Sequence, residues 1–238
     1  MSLQVTDLSF SYGAKTALER VSFGVERGRF AALLGPNGAG KSTLFSLMTR
    51  LFGTQGGSIS IAGHDLRVAP LAAMADLGVV FQQTTLDLDL TVQQNLRYFA
   101  ALHGISGRAA DRRIDVALDR LGMAERAGEK ARGLNGGHKR RTEIARALLH
   151  EPKVLLLDEP TVGLDAVTRT GLTRHIHDLC LETGVTVLWA THLTDEVSDA
   201  DQVILLHRGR LLADGRCGDL RGSASLSEYF AQMTGVSE

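Results

Sequence analysis

The sequence predicts an α/β fold: a mainly parallel sheet covered by helices, an antiparallel β subdomain, and an inserted block of helices. Three observations predict it. Four continuous apolar runs, at 30–34, 154–157, 185–190 and 203–206, show no alternation and so read as strands covered on both faces. Looser alternation near the start, with Leu8, Phe10 and Tyr12 on one face and then Val21, Phe23 and Val25, reads as paired half-exposed strands. Between 84 and 150 the strand signals stop and apolar residues recur at helical spacing.

Composition sets the bounds. With 238 residues and 44% hydrophobic content, the chain can bury a sizeable core. A formal net charge of −1 gives no whole-protein attraction to nucleic acid or anionic lipid, so neither is expected as the main ligand. The start lacks a basic segment followed by a long apolar run, and no window reaches the roughly 18 apolar residues that cross a bilayer. A soluble, cytoplasmic chain is the expectation. Cys180 and Cys217 form no C-x-x-C pair and are expected as reduced, structural thiols.

Taken in order, 3–12 and 21–25 form the paired strands and 30–34 the first buried one. A helix follows the Gly-rich turn and ends before Gly53. Residues 58–61 alternate and stop at Gly63, 70–76 read as a short helix, and 77–81 form an apolar strand closed by Gln82 and Gln83. In the helical block, Val92, Leu96, Phe99 and His103 follow i, i+4, i+7, i+11, while Ile114, Leu118 and Leu121 follow i, i+4, i+7. Crossover helices such as 168–181 join the later strands, and 226–233 reads as a short amphipathic helix. No linker or repeat divides the chain. The expected organisation is one unit over 1–238: core at 1–83 and 151–222, helical insertion at 84–150, tail at 223–238.

The chemistry begins at 35–43, GPNGAGKST, which fits G-x-x-x-x-G-K-[ST] through Gly35, Gly40, Lys41 and Ser42 and also holds Pro36, Asn37, Gly38, Ala39 and Thr43. An apolar strand feeding a Gly-rich turn and a helix sets backbone N–H groups and a helix N-terminus around one anion. Such a turn cradles a nucleotide's phosphates. Lys41 supplies a point charge to the outer phosphates, and the Ser42 hydroxyl is placed to hold Mg²⁺. The fold class is thus a P-loop NTPase core within the α/β framework. VLLLDEP at 154–160 then puts Asp158 and Glu159 at the end of a buried strand, where α/β proteins bind ligands. Asp158 is the candidate metal ligand and Glu159 the candidate general base.

With these two motifs in place, the chain resembles the ATP-binding cassette ATPase of an ABC transporter over nearly its whole length. Further motifs follow in the family's order. Leu134, Asn135, Gly136, Gly137 and His138 stand at the signature, Gln82 at the Q-loop, and Gly163, Leu164 and Asp165 at the D-loop. His192 stands at the switch histidine and Tyr12 at the aromatic that stacks on adenine. The resemblance implies that Gln82 reaches Mg²⁺ and the attacking water, and that His192 orients water and Glu159. It further implies that 134–138 face the phosphate loop of a second ATPase subunit, a homodimer with ATP between its halves, and that Asp165 lies at the subunit contact.

The sequence departs from the pattern at two places: Asn135 replaces the usual serine and His138 the usual glutamine. Asn135 keeps a donor for a phosphate oxygen but is longer and planar, so nucleotide sandwiching is expected to survive while turnover is the property at stake. With Glu159 and His192 present, the chain does not read as the inactive half of a mixed dimer. The basic run 139–141 reads as a solvated helix face. His175 and His177, two apart on a helix, diverge and do not form a metal pair.

Because no span is present, the resemblance implies separate integral membrane permease subunits, with this chain peripheral on the cytoplasmic face of the cell membrane. The stretch after Gln83 resembles exporter-type cassettes of drug and polysaccharide efflux, and LNGGHKRR with DEPTVGLD resembles cassettes associated with quinoprotein alcohol dehydrogenase systems. Export by an ATP-hydrolysing subunit is the expectation. The alternatives are a soluble ABC ATPase acting on ribosomes or DNA and a non-hydrolysing nucleotide sensor; a single cassette with a compact helical block favours the transporter.

Overall fold

A computed structural model describes residues 1–235; the last three residues of the expected tail lie outside the described residues. The chain opens with β1 (Leu3–Tyr12) and β2 (Lys15–Val25), an antiparallel pair. It continues through β3 (Phe30–Leu34), α1 (Lys41–Met48), β4 (Gly56–Ile61), β5 (His64–Asp65), α2 (Pro70–Ala75) and β6 (Leu77–Val80). Three long helices follow: α3 (Val92–Leu102), α4 (Gly107–Arg120) and α5 (Gly136–Leu148). Then come β7 (Val154–Asp158), α6 (Ala166–Thr183), β8 (Thr186–Thr191), β9 (Gln202–His207), β10 (Arg210–Arg216), α7 (Cys217–Arg221) and α8 (Leu226–Thr234).

Two sheets organise these elements. The larger runs β10-β9-β3-β8-β7-β6, with all neighbours parallel except β10, which returns antiparallel on the edge. The smaller, β2-β1-β4-β5, is antiparallel throughout. The apolar runs expected as buried strands are buried at every position in β3, β7 and β8 because both faces are covered.

Strand periodicity divides the core. Ala31 and Leu33, Val154 and Leu156, Leu188 and Ala190 face one way, onto α1 and the antiparallel sheet. Ala32, Leu155, Leu157, Val187 and Trp189 face the other way, onto Leu96, Ile114, Leu118 and Ile144 of α3, α4 and α5 and onto Leu172 and Ile176 of α6. A smaller cluster, Leu34, Val203 and Leu205 with Leu226 and Phe230, holds α8 against the sheet. One central sheet thus serves a core on each of its faces.

Local signals fix where the helices begin. Thr91 and Gln94 form a reciprocal capping box on α3, as Ser225 and Glu228 do on α8. Asn135 caps α5 and Asp165 caps α6. Of the helical pattern at 92–103, Val92 and Leu96 are buried, whereas His103 sits at the C-cap and stacks on His150 with ring centroids 4.1 Å apart. Cys180 and Cys217 are buried free thiols, and burial pushes Cys180 up to about 11. His175 and His177 do not meet; His177 bonds Asp201 and stacks on Phe30 with centroids 3.9 Å apart. No helix among the described residues is long and apolar enough to cross a membrane.

Candidate active site

The site is built at the carboxyl ends of the parallel strands. After Leu34 the chain turns through 35–40 into α1. Gly35 is forced by close approach, since a Cβ there would lie 2.3 Å from the Leu206 carbonyl oxygen. Gly40 is forced twice: its φ is +112°, and a Cβ would lie 2.9 Å from the Ala17 carbonyl oxygen. The amides of Lys41, Ser42 and Thr43, in the first turn of α1, have no carbonyl within the helix to bond, and the helix dipole adds positive potential there. Gly40, Lys41, Ser42 and Thr43, with Tyr12, Lys15, Ala17, Pro36, Asn37, Gly38, Ala39 and Glu159, line a cavity of about 240 Å³.

Lys41 is buried. Its Nζ donates to the Gly35 carbonyl at 2.5 Å and lies 3.4 Å from Glu159 Oε1. Burial lowers its pKa, opposed by the negative charges of Glu159 and Asp158. Asp158, the last residue of β7, is also buried, and burial followed by the charge of Glu159 pushes its pKa up to about 6. Lys41 and Arg140 pull it the other way.

Glu159 adopts φ +44°, a conformation uncommon for a residue with a side chain, as the chain leaves the strand. Its carboxylate has Lys41 on one side, accepts from Gln82 Nε2 at 3.1 Å, and lies 3.4 Å from His192 Nδ1. The four residues follow or end four different strands: Lys41 after β3, Gln82 after β6, Glu159 after β7 and His192 after β8. The strand order β3-β8-β7-β6 sets these four strand ends side by side at one edge of the sheet.

Of the remaining sequence candidates, Tyr12 lines the cavity and the others lie elsewhere. Tyr12 is at the cavity mouth, its hydroxyl 3.4 Å from Thr43 Oγ1 and its ring edge-on to Phe10 and Phe52. Asn135 Oδ1 accepts from the His138 amide at 2.8 Å, and Gly136 and Gly137 form the first turn of α5. Burial, then Arg126 and Arg141, lower the His138 pKa. Asp165 accepts from the Thr168 amide at 2.9 Å and its hydroxyl at 2.7 Å, which lowers its pKa. None of Asn135, Gly136, Gly137, His138 and Asp165 lines the cavity.

A family model described as ABC transporter matches residues 18–162, more than half of the chain. The chain belongs to this family. It is 38% identical over 226 residues to the probable multidrug ABC transporter ATP-binding protein YbhF of Escherichia coli (strain K12), covering 95% of this chain and 39% of that protein. To the linearmycin resistance ATP-binding protein LnrL of Bacillus subtilis (strain 168) it is 35% identical, over 92% of this chain and 70% of that one. It thus spans well under half of the first relative's length. Among solved structures it is similar to cbiO1 from Clostridium perfringens, part of the ABC transporter complex cbiONQ. There the TM-score is 0.86 at 29% identity, covering 97% of this chain and 94% of that one.

The residues fit the nucleotide and metal that this family implies. The Gly-lined cradle and buried Lys41 suit phosphates. Ser42, Asp158 and Gln82 offer a hydroxyl, a carboxylate and an amide oxygen, the hard donors Mg²⁺ takes, with phosphate and water completing its shell. Among the described residues no group of three or more His, Cys, Asp or Glu is placed to hold a metal unaided.

One expectation is overturned. Of the basic run 139–141, Arg140 is buried, not part of a solvated face: Nη1 donates to the Phe81 carbonyl at 2.6 Å and Nη2 to the Gln82 carbonyl at 2.7 Å. It pairs with buried Glu143 at 3.0 Å, and that pairing is what makes burying a cation tolerable. The helical spacing of Arg140, Glu143 and Arg146 was the available signal, since residues three apart are neighbours on a helix surface. Glu196 was missed as well. It is buried and accepts from Trp189 Nε1 at 2.9 Å and from the Thr161 hydroxyl, which ties the segment after His192 to the segment after Glu159.

Proposed function

We propose that this chain is the ATP-hydrolysing subunit of an ABC exporter. It binds ATP with Mg²⁺ in the 35–43 cradle and works on the cytoplasmic face of a membrane, beside separate membrane-spanning subunits. The observation that carries the reading is the gathering of Lys41, Gln82 and His192 around Glu159 at the mouth of the cradle. The names of the multidrug and linearmycin-resistance relatives support the transport role and its outward direction.

In this reading Lys41 neutralises the outer phosphates and Tyr12 offers its ring to adenine. Ser42, Asp158 and Gln82 would hold Mg²⁺, which would supply positive charge to the phosphate oxygens. Glu159 takes a proton from water as the water oxygen bonds to the γ-phosphorus. The bond from that phosphorus to the bridging oxygen breaks, and ADP and inorganic phosphate leave. Hydrogen bonds from Gln82 and His192 hold the Glu159 carboxylate in place for this step.

The second half of the site is supplied by another copy. Asn135, Gly136, Gly137, His138 and Asp165 sit on the helix starts of α5 and α6, a surface suited to the partner's ATP. Because Asn135 Oδ1 is taken by its cap, the amide Nδ2 is the group left to meet a phosphate oxygen. Residues 84–150 form the helical subdomain of this unit, between core segments 1–83 and 151–222.

The test compares the wild type with Glu159→Gln. Phosphate release is expected to fall by about 10²- to 10⁴-fold while ATP binding persists, and light scattering is expected to show an ATP-dependent dimer. Undiminished hydrolysis would remove Glu159 from its role, and a monomer at saturating ATP would remove the pairing. Extraction with ribosomes or DNA, and without any polytopic membrane protein, would overturn the transport reading.

A further inference from the structure

The Glu159 carboxylate is reached by the Gln82 side chain, yet Gln82 is exposed and lies beyond the last ladder pair of β6 and β7, Val80 with Leu157. Something other than the sheet must hold its backbone. That something is one face of α5. Arg140 bonds the carbonyls of both Phe81 and Gln82. Three residues further along, Glu143 accepts from the Thr85 amide at 2.7 Å; three beyond that, Arg146 Nη1 donates to the Thr85 carbonyl at 3.0 Å. The helix therefore grips the loop at two points, 81–82 and 85, through residues spaced to share a face.

A buried ion pair is weak evidence for stability, because desolvation cancels much of the attraction. What the pair does provide is geometry. A guanidinium whose two nitrogens meet two successive carbonyls fixes the direction in which the chain leaves β6, and with it the origin of the Gln82 side chain.

We propose that Arg140, oriented by Glu143, is a positioning residue for ATP hydrolysis: it sets the backbone of Gln82 so that the Gln82 amide meets Glu159. This rests on the hydrolytic reading above. Arg140 is not part of the cavity lining and has no hydrogen bond to Glu159, so its bonded route to the site is the Gln82 backbone; its charge also acts on Asp158, an effect that Arg140→Lys keeps. Methionine fills similar volume but cannot bond a carbonyl, while lysine keeps the charge and loses the two-pronged geometry.

The experiment is a double-mutant cycle on the full chain: wild type, Arg140→Met, Gln82→Ala and the double variant, with Arg140→Lys alongside. Steady-state ATP hydrolysis and thermal melting are measured for each. Arg140→Met is expected to lower kcat by about tenfold with KM within about twofold, and Arg140→Lys to recover part of the loss. In the Gln82→Ala background, Arg140→Met is expected to cost less than about twofold more, because the group it positions is already gone. Equal, multiplying losses in both backgrounds would overturn the proposal, as would a loss confined to KM. If Arg140→Met does not fold, the same cycle with Arg140→Lys and Glu143→Gln reads the same non-additivity. Hydrolysis insensitive to Glu159→Gln would overturn the functional reading and this inference with it, whereas Glu159-dependent hydrolysis with multiplying losses would overturn this inference alone.

Discussion

His192 Nδ1 lies 3.4 Å from Glu159 Oε1, although 33 positions separate the two residues. They follow adjacent parallel strands, β8 and β7, whose register pairs Asp158 with Ala190 and so carries both side chains to the same edge. His192→Ala is expected to reduce turnover by about 10²-fold with little change in ATP affinity. Phosphate release at saturating ATP measures it, and a rate within twofold of wild type would show that the contact has no part in the reaction.

Asn135 caps α5 and stands where the resemblance puts the family signature. Asn135→Ala is expected to cost about 1 kcal/mol in urea unfolding, whereas Asn135→Ser keeps a capping oxygen and should cost only a few tenths. Turnover is the separate question. Asn135→Ser is expected to change ATP hydrolysis measured with the membrane partner present; identical rates would remove any kinetic meaning from the asparagine.

Gly137 is required by its neighbour across the α5 and α6 starts. A Cβ there would meet Thr168 Cγ2 at 2.6 Å, and Thr168 is held by two bonds to Asp165. Gly137→Ala is expected to lose about 1–3 kcal/mol through this overlap. Adding Thr168→Ser deletes the clashing methyl and keeps the hydroxyl, so the double variant should recover most of the loss. No recovery would place the cost in α5 itself.

Glu196 joins Thr161 to Trp189 inside the protein. Glu196→Ala leaves a buried indole N–H and a buried hydroxyl without their acceptor, each worth about 1–3 kcal/mol. Thr161→Val in the same chain should add less than its separate cost, because one orphaned group is then removed. Additive losses in chemical denaturation would contradict the shared network.

His177 contributes stability that depends on pH. Burial pulls its pKa down, but the hydrogen bond and charge of Asp201 outweigh this, and it ends raised above 6.5. A folded-state pKa above the unfolded one means the stabilisation is fully present below the unfolded value and is lost as pH rises through the folded value. His177→Gln should therefore lower unfolding free energy more at pH 5.5 than at pH 9, with the positions chosen on either side of about 6.5. A difference independent of pH would show that Phe30 stacking, not the Asp201 pair, holds the ring.

Much of the architecture was legible because the patterns were local. Apolar runs without alternation marked β3, β7, β8 and β9, and helical spacing marked α3 and α4. β10 was missed: RLLADGR carries a glycine and an aspartate, and it gains strand form by pairing on the edge of β9. The phosphate cradle was legible for a stronger reason. Its glycines answer to a positive φ and to the close approach of the Leu206 and Ala17 carbonyls, and its lysine to charge, so the pattern is carried by a few adjacent positions.

The sequence by itself determined which chemical groups are present, their order, and which strand end each follows, since periodicity and turn chemistry are encoded within a few residues. Only the tertiary structure decided what those groups touch. Whether Arg140 faces water or the Gln82 backbone depends on which element packs on that side of α5, and the chain folds it inward because Glu143 and two strand-end carbonyls compensate its charge. Glu159 likewise becomes a hub because parallel register delivers Lys41, Gln82 and His192 to one edge of the sheet. Contacts across such distances along the chain follow from strand order and packing, which no local pattern contains.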